Sequence, residues 1–545
     1  MTSNAATVTA PLAVARRREF AVLAALTALV AAVLLTLGPA PGDAPAHLYR
    51  TLLVRHGALV WDNFWYAGSY PLGSYSLLYY FPAALVGNVP LVFAAAVLST
   101  VLFSSIATRE WGRAALWPAR AFGVLAAAPM FTGLYAYSLG LVAMLGALRA
   151  LQLGRRWLTV LLAAATIGFS PLAFAFLCLL LAACAVARRS FSRGSLALIA
   201  SLTGIAGLEL AALALFSTGT GSYPFHSIDF VGVLLVSVLG ALLARRGRAA
   251  GPLVAFFVLW AIGSTVLFIV PTPLGDNWTR LGAFSFPVML LTASLAGFRP
   301  RRLAVLALAV ALTYNLTPYV LLIPYRLDNR PATARFWAPA IGFLQAHPQR
   351  GFRVEVVPTA AHWEAYWIPK AGFPLARGWY RQLDETTNPA LYRKQLNAVS
   401  YRSWLRSAAV EYILLPSTPL DWDGANREAA IVRSSNSGLR VVFRSTNWTI
   451  YRLPHPTPLM TGPAPASITA FGHTTISGSV SSPGRYILRT HFNPYWKLAG
   501  AGCVRRGPAK MTWLELKRAG SFSLSIPSSP DGLLDSLSTR HTGGC

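Results

Sequence analysis

The sequence predicts a polytopic α-helical membrane domain of about eleven spans, followed by an extracytoplasmic α/β unit and a β-sandwich. Three observations lead there. The 545 residues are 54% hydrophobic and 12% charged, with a mean hydropathy of +0.49, which is too apolar for an ordinary soluble protein and too long for one domain. Apolar runs recur up to about residue 320 and then stop. Beyond that point lysine enters the sequence, and short β-rich runs alternate with turn clusters.

The spans are read at about 20–38, 91–108, 121–134, 135–151, 157–170, 171–187, 195–216, 229–244, 251–270, 281–297 and 302–320. Arg16, Arg17 and Arg18 precede the first run. They fit the start of a cleavable signal, but the length of the run and the number of spans after it favour an uncleaved first span. With the tail 1–19 in the cytoplasm, 18 of the 21 basic residues before position 321 fall inside. Only Arg50, Arg55 and Arg280 fall outside. Counting 75–86 as a full span would reverse every later cluster, so it is placed as an outer-leaflet or re-entrant piece of the first external loop, 39–90. The net charge of +28 is thereby explained by membrane orientation, and no nucleic-acid partner is expected.

The same parity puts everything after about residue 321 outside. In the α/β domain, 321–453, strands are expected at 353–357, 411–415, 439–444 and 449–453, and helices at 337–346 and 389–399. A Pro-rich hinge, 454–466, leads to the β-sandwich, 467–545, with strands at 467–470, 474–480, 484–491, 512–517 and 521–526. Cys178 and Cys184 lie in an apolar run and read as packing; Cys503 and Cys545 have the position to pair outside the cytoplasm.

Only seven acids occur in the first 320 residues, and five of them (Asp43, Asp62, Glu209, Asp229 and Asp276) lie in external loops or near the outer end of a span. Ionisable groups at that depth are costly, so they mark a candidate site on the external face. Asp43 stands just past the first span, where partial burial would suit a general base. His47 faces the same way if Pro45 begins a short helix. The alternative is that Asp43 caps that helix. The rest of the loop is aromatic, with Trp61, Phe64, Trp65, Tyr66, Tyr70, Tyr75, Tyr79, Tyr80 and Phe81, and reads either as an interfacial belt or as a platform for an acceptor. Asp62 caps or orients the loop. Arg50 and Arg55 have the chemistry to bind a phosphate or lipid headgroups. Asp276 and Arg280, four residues apart, read as a helical surface pair, or with Arg280 as a fixed cation for a lipid phosphate. Tyr223, His226 and Asp229 form a further polar patch.

There is no Walker A sequence, no HExxH and no GxSxG elbow, which argues against autonomous ATP-driven transport and against the common metalloprotease and serine-hydrolase chemistries. A first span, then Asp43, His47, Gly57, Trp61, Gly68, Tyr70 and Pro71, then an aromatic stretch, resembles the GT-C superfamily of integral-membrane glycosyltransferases. More narrowly it is similar to bacterial membrane proteins labelled 6-pyruvoyl-tetrahydropterin synthase-related, as are the runs VEYILLP at 410–416 and NPYWK at 493–497. The resemblance implies a polyprenyl-phosphate-linked sugar as donor, a cell-envelope glycan or lipid as acceptor, and Asp43 as the catalytic acid of the first external loop. His47, Arg50, Arg55, Trp61, Asp62, Tyr70, Asp276 and Arg280 are the candidate substrate-binding residues. The position where the family often carries a second acid is Pro45 here; a divalent metal ion is admitted as cofactor but not required. The setting implied is a bacterial cytoplasmic membrane. Two rival readings are a transporter or flippase of lipid-linked glycans, and a non-catalytic envelope assembly protein.

Overall fold

The computed structural model describes residues 9–71, 76–188, 193–216, 221–247, 251–348 and 350–527. Cys545, and with it the considered pairing to Cys503, lies outside the described residues, as does Tyr75. Two compact units are formed. The first comprises Met1–Pro41, Tyr75–Leu215 and Gly221–Pro324; the second comprises Gly42–Ser74, Phe216–Thr220 and Tyr325–Cys545.

The helices run α1 (Thr9–Leu37), α2 (Ala44–Arg55), α3 (Tyr80–Val86), α4 (Asn88–Trp111), α5 (Leu116–Leu125), α6 (Pro129–Thr132), α7 (Tyr135–Gln152), α8 (Arg156–Phe169), α9 (Pro171–Arg188), α10 (Arg193–Phe216), α11 (Ser227–Ala244), α12 (Gly251–Ile269), α13 (Ser285–Leu295) and α14 (Arg301–Arg326). All but α2 build the first unit. Every predicted span meets helix, but among the described residues seven stretches are long and apolar enough to cross a membrane: Arg17–Leu37, Asn88–Thr132, Pro171–Arg188, Arg193–Phe216, Ser227–Ala244, Gly251–Ile269 and Arg301–Ile323. The count of eleven leaned on shorter pieces. Outside those stretches, the helices α8 and α13 have 14 and 11 residues. At 1.5 Å per residue they reach about 17–21 Å of a hydrocarbon core of about 30 Å. The seven residues of α3 likewise cannot span, as the re-entrant reading of that segment requires. Polar residues dilute α7, among them Tyr135, Tyr137, Ser138, Arg149 and Gln152.

Packing inside this unit relies on small residues and matched hydroxyls. The Oγ1 atoms of Thr27 on α1 and Thr100 on α4 are 2.9 Å apart and fully buried. Gly240 on α11 lies against the Phe257 ring of α12, where a methyl group would overlap the ring.

The second unit holds two folds. Its α/β part contains α15 (Ala334–Ala346), β1 (Arg353–Val356), α16 (Glu364–Lys370), α17 (Arg381–Thr387), α18 (Pro389–Tyr392), α19 (Ala398–Ser407), β2 (Val410–Pro416), α20 (Ala425–Arg433), β3 (Arg440–Arg444) and β4 (Trp448–Arg452). The sheet order is β1-β2-β4-β3, with β1 parallel to β2 and the other pairs antiparallel. All four strands stand where the sequence put them. The helix expected at 389–399 is two helices. Asn397 accepts from the amides of Val399 and Ser400 and starts α19 afresh, so the chain breaks between Tyr392 and Asn397.

The sandwich follows with β5 (Met460–Thr461), β6 (Ala466–Phe471), β7 (Thr475–Val480), β8 (Gly484–His491), β9 (Lys497–Ala499), β10 (Gly502–Arg506), β11 (Met511–Leu516) and β12 (Gly520–Ser525). Its antiparallel sheets are ordered β10-β11-β8-β5 and β6-β7-β12-β9. Tyr486, Leu488 and Leu514 from one sheet share a core with Ile476, Phe522 and Leu524 from the other. The short strands β5, β9 and β10 were not predicted, and β5 lies inside the segment read as a hinge.

The loop assigned from sequence to the membrane domain folds with this second unit. Its aromatic side chains explain why: Trp61, Phe64, Trp65 and Tyr66 are each no more than 3% exposed. Backbone bonds secure it, from Asn63 N to His473 O (2.8 Å), from Leu375 N to Phe64 O (2.9 Å) and from His491 N to Ala67 O (2.6 Å). Asp62 and Ser69 exchange two backbone bonds of 2.9 Å each and close the loop. Gly68, at φ +113°, lets the chain turn directly beneath the Trp61 ring. A Gly68→Ala variant therefore meets both backbone strain and the ring, whereas Gly57, at φ +71° with open space around its Cβ position, meets strain alone. Thermal unfolding of the full chain in detergent should show Gly68→Ala costing about 3 kcal/mol or more and Gly57→Ala about 1 kcal/mol.

Candidate functional site

Pro45 begins a helix, as the sequence indicates, and Asp43 occupies the N-cap position of α2 with φ −87° and ψ −2°. Its side chain accepts no capping bond from the first turn, and it is half-buried. That geometry leaves the capping reading without its defining contact. The positions 43, 47 and 50 recur at i, i+4 and i+7, so the three side chains share one face of α2. His47 and Arg50 are buried at 2% and 3% exposure, and the Arg50 guanidinium lies over the Tyr380 ring, 4.4 Å from its centroid. Arg55, in the last turn, is exposed.

Further along, Trp61 is a core residue. It donates through Nε1 to Asn63 Oδ1 (2.8 Å) and meets Tyr70 and Trp496 edge-on. Its ring has no open face for a ligand, and the same holds for Phe64, Trp65 and Tyr66. Tyr70 is half-buried at the border of this cluster. Asp62 is buried and serves as a hub. The Tyr49 hydroxyl donates to its Oδ2 (2.9 Å), the Phe64 amide donates to Oδ1 (3.2 Å), and His473 Nδ1 lies 2.9 Å from Oδ1.

Asp276 and Arg280 belong to the first unit, in a 3₁₀ segment, Gly275–Phe284. With three residues per turn, a four-residue spacing sets the two side chains about 120° apart, so the α-helical pairing expected from sequence does not apply. Asp276 instead faces His226 Nδ1 at 3.4 Å. Asp229, three residues beyond His226 in the first turn of α11, joins them, and one donor atom from each lies within 4.8 Å of the others. The second oxygen of Asp276 is buried without a hydrogen bond. Burial, then the neighbouring Asp229, pushes the Asp276 carboxyl up, and His226 opposes this.

Two buried charge clusters of the α/β part were not singled out from sequence. Arg377 donates to Asp384 through Nε (2.8 Å) and to Glu428 through Nη1 (3.0 Å), and stands 3.5 Å from Glu355. One guanidinium thus meets three carboxylates. Burial, then the Glu428 carboxylate, holds Glu355 well above the usual carboxylate range despite Arg377. At the carboxyl ends of the parallel pair β1 and β2, His362 lies 3.1 Å from Glu364 and 3.8 Å from Asp421, with Trp379 stacked on its ring at 4.0 Å. Burial pulls the His362 ring down, but Asp421 and Glu364 outweigh it and raise it to about 9. The available signal was Glu355 between Val354 and Val356 on a strand, where a buried charge demands a partner.

No family model matches the chain. An uncharacterized transporter of Corynebacterium diphtheriae is 30% identical over 125 residues, which are 22% of this chain and 23% of that protein's length. Among solved structures, ArnT from Cupriavidus metallidurans bound to undecaprenyl phosphate is similar over 78% of this chain and 97% of its own, at 14% identity and a TM-score of 0.40.

His362 carries a raised folded pKa, so its contribution is full below the unfolded value of about 6.5 and is lost as pH rises through about 9. Chemical unfolding at pH 6 and pH 10 should show an alkaline loss on the order of 3 kcal/mol that His362→Gln removes. Burial and the Glu428 carboxylate both push Glu355 toward its neutral form, so Glu355→Gln should leave stability unchanged or higher. Glu428→Gln weakens the acceptor of both Arg377 and Tyr401 and should cost about 3 kcal/mol in the same measurement.

Proposed function

We propose that the chain is a membrane glycosyltransferase that moves a sugar from a polyprenyl-phosphate donor to a cell-envelope glycan or lipid on the external face of the membrane. The observation that carries this reading is Asp43: a half-buried carboxylate at the head of a rigid helix, making no capping bond, at the position matching the catalytic acid of the family the loop resembles. Asp43 takes the proton of an acceptor hydroxyl. The acceptor oxygen bonds to the anomeric carbon, the bond from that carbon to the phosphate oxygen breaks, and the polyprenyl phosphate leaves. A departing phosphate calls for a fixed cation, and Arg50 and Arg55 are the basic residues on the Asp43 helix; Arg280, in the first unit, is a separate candidate for a lipid phosphate. His47 steadies the acceptor beside Asp43.

His226, Asp229 and Asp276 offer an imidazole and two carboxylates of the type that holds a divalent ion, and the buried, unbonded oxygen of Asp276 fits such a ligand. A bound ion would supply positive charge toward phosphate. A second reading, transport of lipid-linked glycans, is favoured by the partial likeness to a protein named as a transporter.

Envelope glycan analysis of a deletion strain tests the first reading. Wild type should restore a missing sugar linkage. Asp43→Asn, at equal protein level, should fail, and with purified protein should lower kcat at least about 100-fold. Full restoration by Asp43→Asn would sink the enzyme reading and leave transport or assembly. Titration calorimetry of the purified chain with Mn²⁺ should detect binding that Asp276→Asn weakens at least about tenfold.

A further inference from the structure

We propose that the Asp62–His473 pair forms a second carbohydrate subsite, which receives a hydroxyl of an extended acceptor glycan near the end of α2 away from Asp43. The proposal rests on the glycosyl-transfer reading for the identity of the ligand. The geometry stands by itself. An ionised carboxylate only accepts hydrogen bonds, so the 2.9 Å contact of His473 Nδ1 with Asp62 Oδ1 places the proton on Nδ1. In the tautomer that this contact selects, Nε2 is the ring's acceptor. Nε2 makes no hydrogen bond among the described residues, and the side chain is 18% exposed.

The ring cannot turn away. Phe64 packs against it at 4.3 Å between centroids, and the Tyr49 hydroxyl holds the other oxygen of Asp62. His56, exposed at the C-cap of α2, has its ring centred 5.7 Å from that of His473. A fixed acceptor beside a second imidazole that donates or accepts suits neighbouring hydroxyls of one sugar ring. An anionic ligand is less well served, because Asp62 offsets any charge His473 gains. Asp62, at 1% exposure, also takes the Tyr49 hydroxyl and the Phe64 amide, so the group that orients the His473 ring is itself fixed on every side.

The helix sets the scale. Twelve residues of α2 separate the Asp43 end from the His56 end, about 18 Å at 1.5 Å per residue. One sugar cannot touch both ends, so the acceptor engaged here is an oligosaccharide several units long.

The test is protection of His473 from carbethoxylation by diethyl pyrocarbonate, read by mass spectrometry on the full chain in detergent. The probes are size-fractionated oligosaccharides released from the native envelope, with exposed His455 as the internal control. Longer fragments should slow modification of His473 about tenfold, the weight of one or two hydrogen bonds, and monosaccharides at equal sugar concentration should not. Asp62→Asn should abolish the protection, and His56→Gln should weaken it. Reaction of His473 with no protection by any fragment, failure of His473 to react at all, or protection unchanged in Asp62→Asn would each overturn the proposal. The assay needs no turnover. Protection that persists alongside a fully active Asp43→Asn would remove glycosyl transfer and leave a glycan-binding site; loss of transfer in Asp43→Asn without protection would remove only the subsite.

Discussion

The second unit depends on one buried carboxylate. Asp62 receives the Tyr49 hydroxyl from α2, the Phe64 amide of its own loop and the His473 ring from the turn between β6 and β7. Two neighbouring segments and one 411 residues away meet there. An acceptor-only group with both oxygens occupied fixes each donor in direction as well as distance. Around it the loop does the work of a core element. Trp61 fills the sandwich core, Trp65 donates to the Ala365 carbonyl at 3.0 Å, and the Tyr66 hydroxyl both donates to the Tyr380 carbonyl and accepts from the Tyr380 amide. The aromatic richness that suggests a sugar platform in the sequence is thereby spent largely on joining the loop to the rest of its unit.

The α/β part follows a different electrostatic rule. Its buried acids and bases come in unequal numbers, three carboxyl groups to Arg377; burial and Glu428 push the Glu355 carboxyl up, and the hydroxyls of Tyr392 and Tyr401 donate to Asp384 and Glu428. At His362 the balance is reversed: two carboxylates keep an imidazole charged, and Arg381 adds a 2.8 Å bond to Asp421. These clusters join α16, α17, α18, α19 and α20 to the ends of β1 and β2, where apolar packing alone would not select among several near-equivalent helix placements.

Much of this was legible in the sequence, for physical reasons. Alternation of period two is imposed by one buried face, so β7, β8, β11 and β12 could be read directly. Pro45 marked the start of α2 because its ring fixes φ for a first turn. Spans were harder. A run of apolar residues shows burial but not length of crossing, so the short helices α8 and α13 were counted beside longer ones. The short strands β5, β9 and β10 have two, three and five residues, too few for a pattern to emerge. The site was legible only where its chemistry is local. Asp43, His47 and Arg50 share a helix, and their spacing alone puts them on one face. The partners His473 for Asp62 and His226 for Asp276 are separated by 411 and 50 residues, and no local pattern announces a contact across that distance.

This division between local and distant contacts bears on how Asp43 can act. A base must be held to within a fraction of an ångström of its proton, which favours regular helix over loop. The helix α2 is short, and twelve residues would be marginal in isolation. Its rigidity is borrowed: Tyr49 is tied to Asp62 and stacked on Trp65 at 4.6 Å, Arg50 lies on Tyr380, and the helix packs along α16. The first turn is buried as well, at Ala44, Pro45, Ala46 and His47, so the support runs the length of the helix up to its head. Asp43 alone stays half-buried there, so a side chain at that position is held by a fixed backbone and still reached from one side.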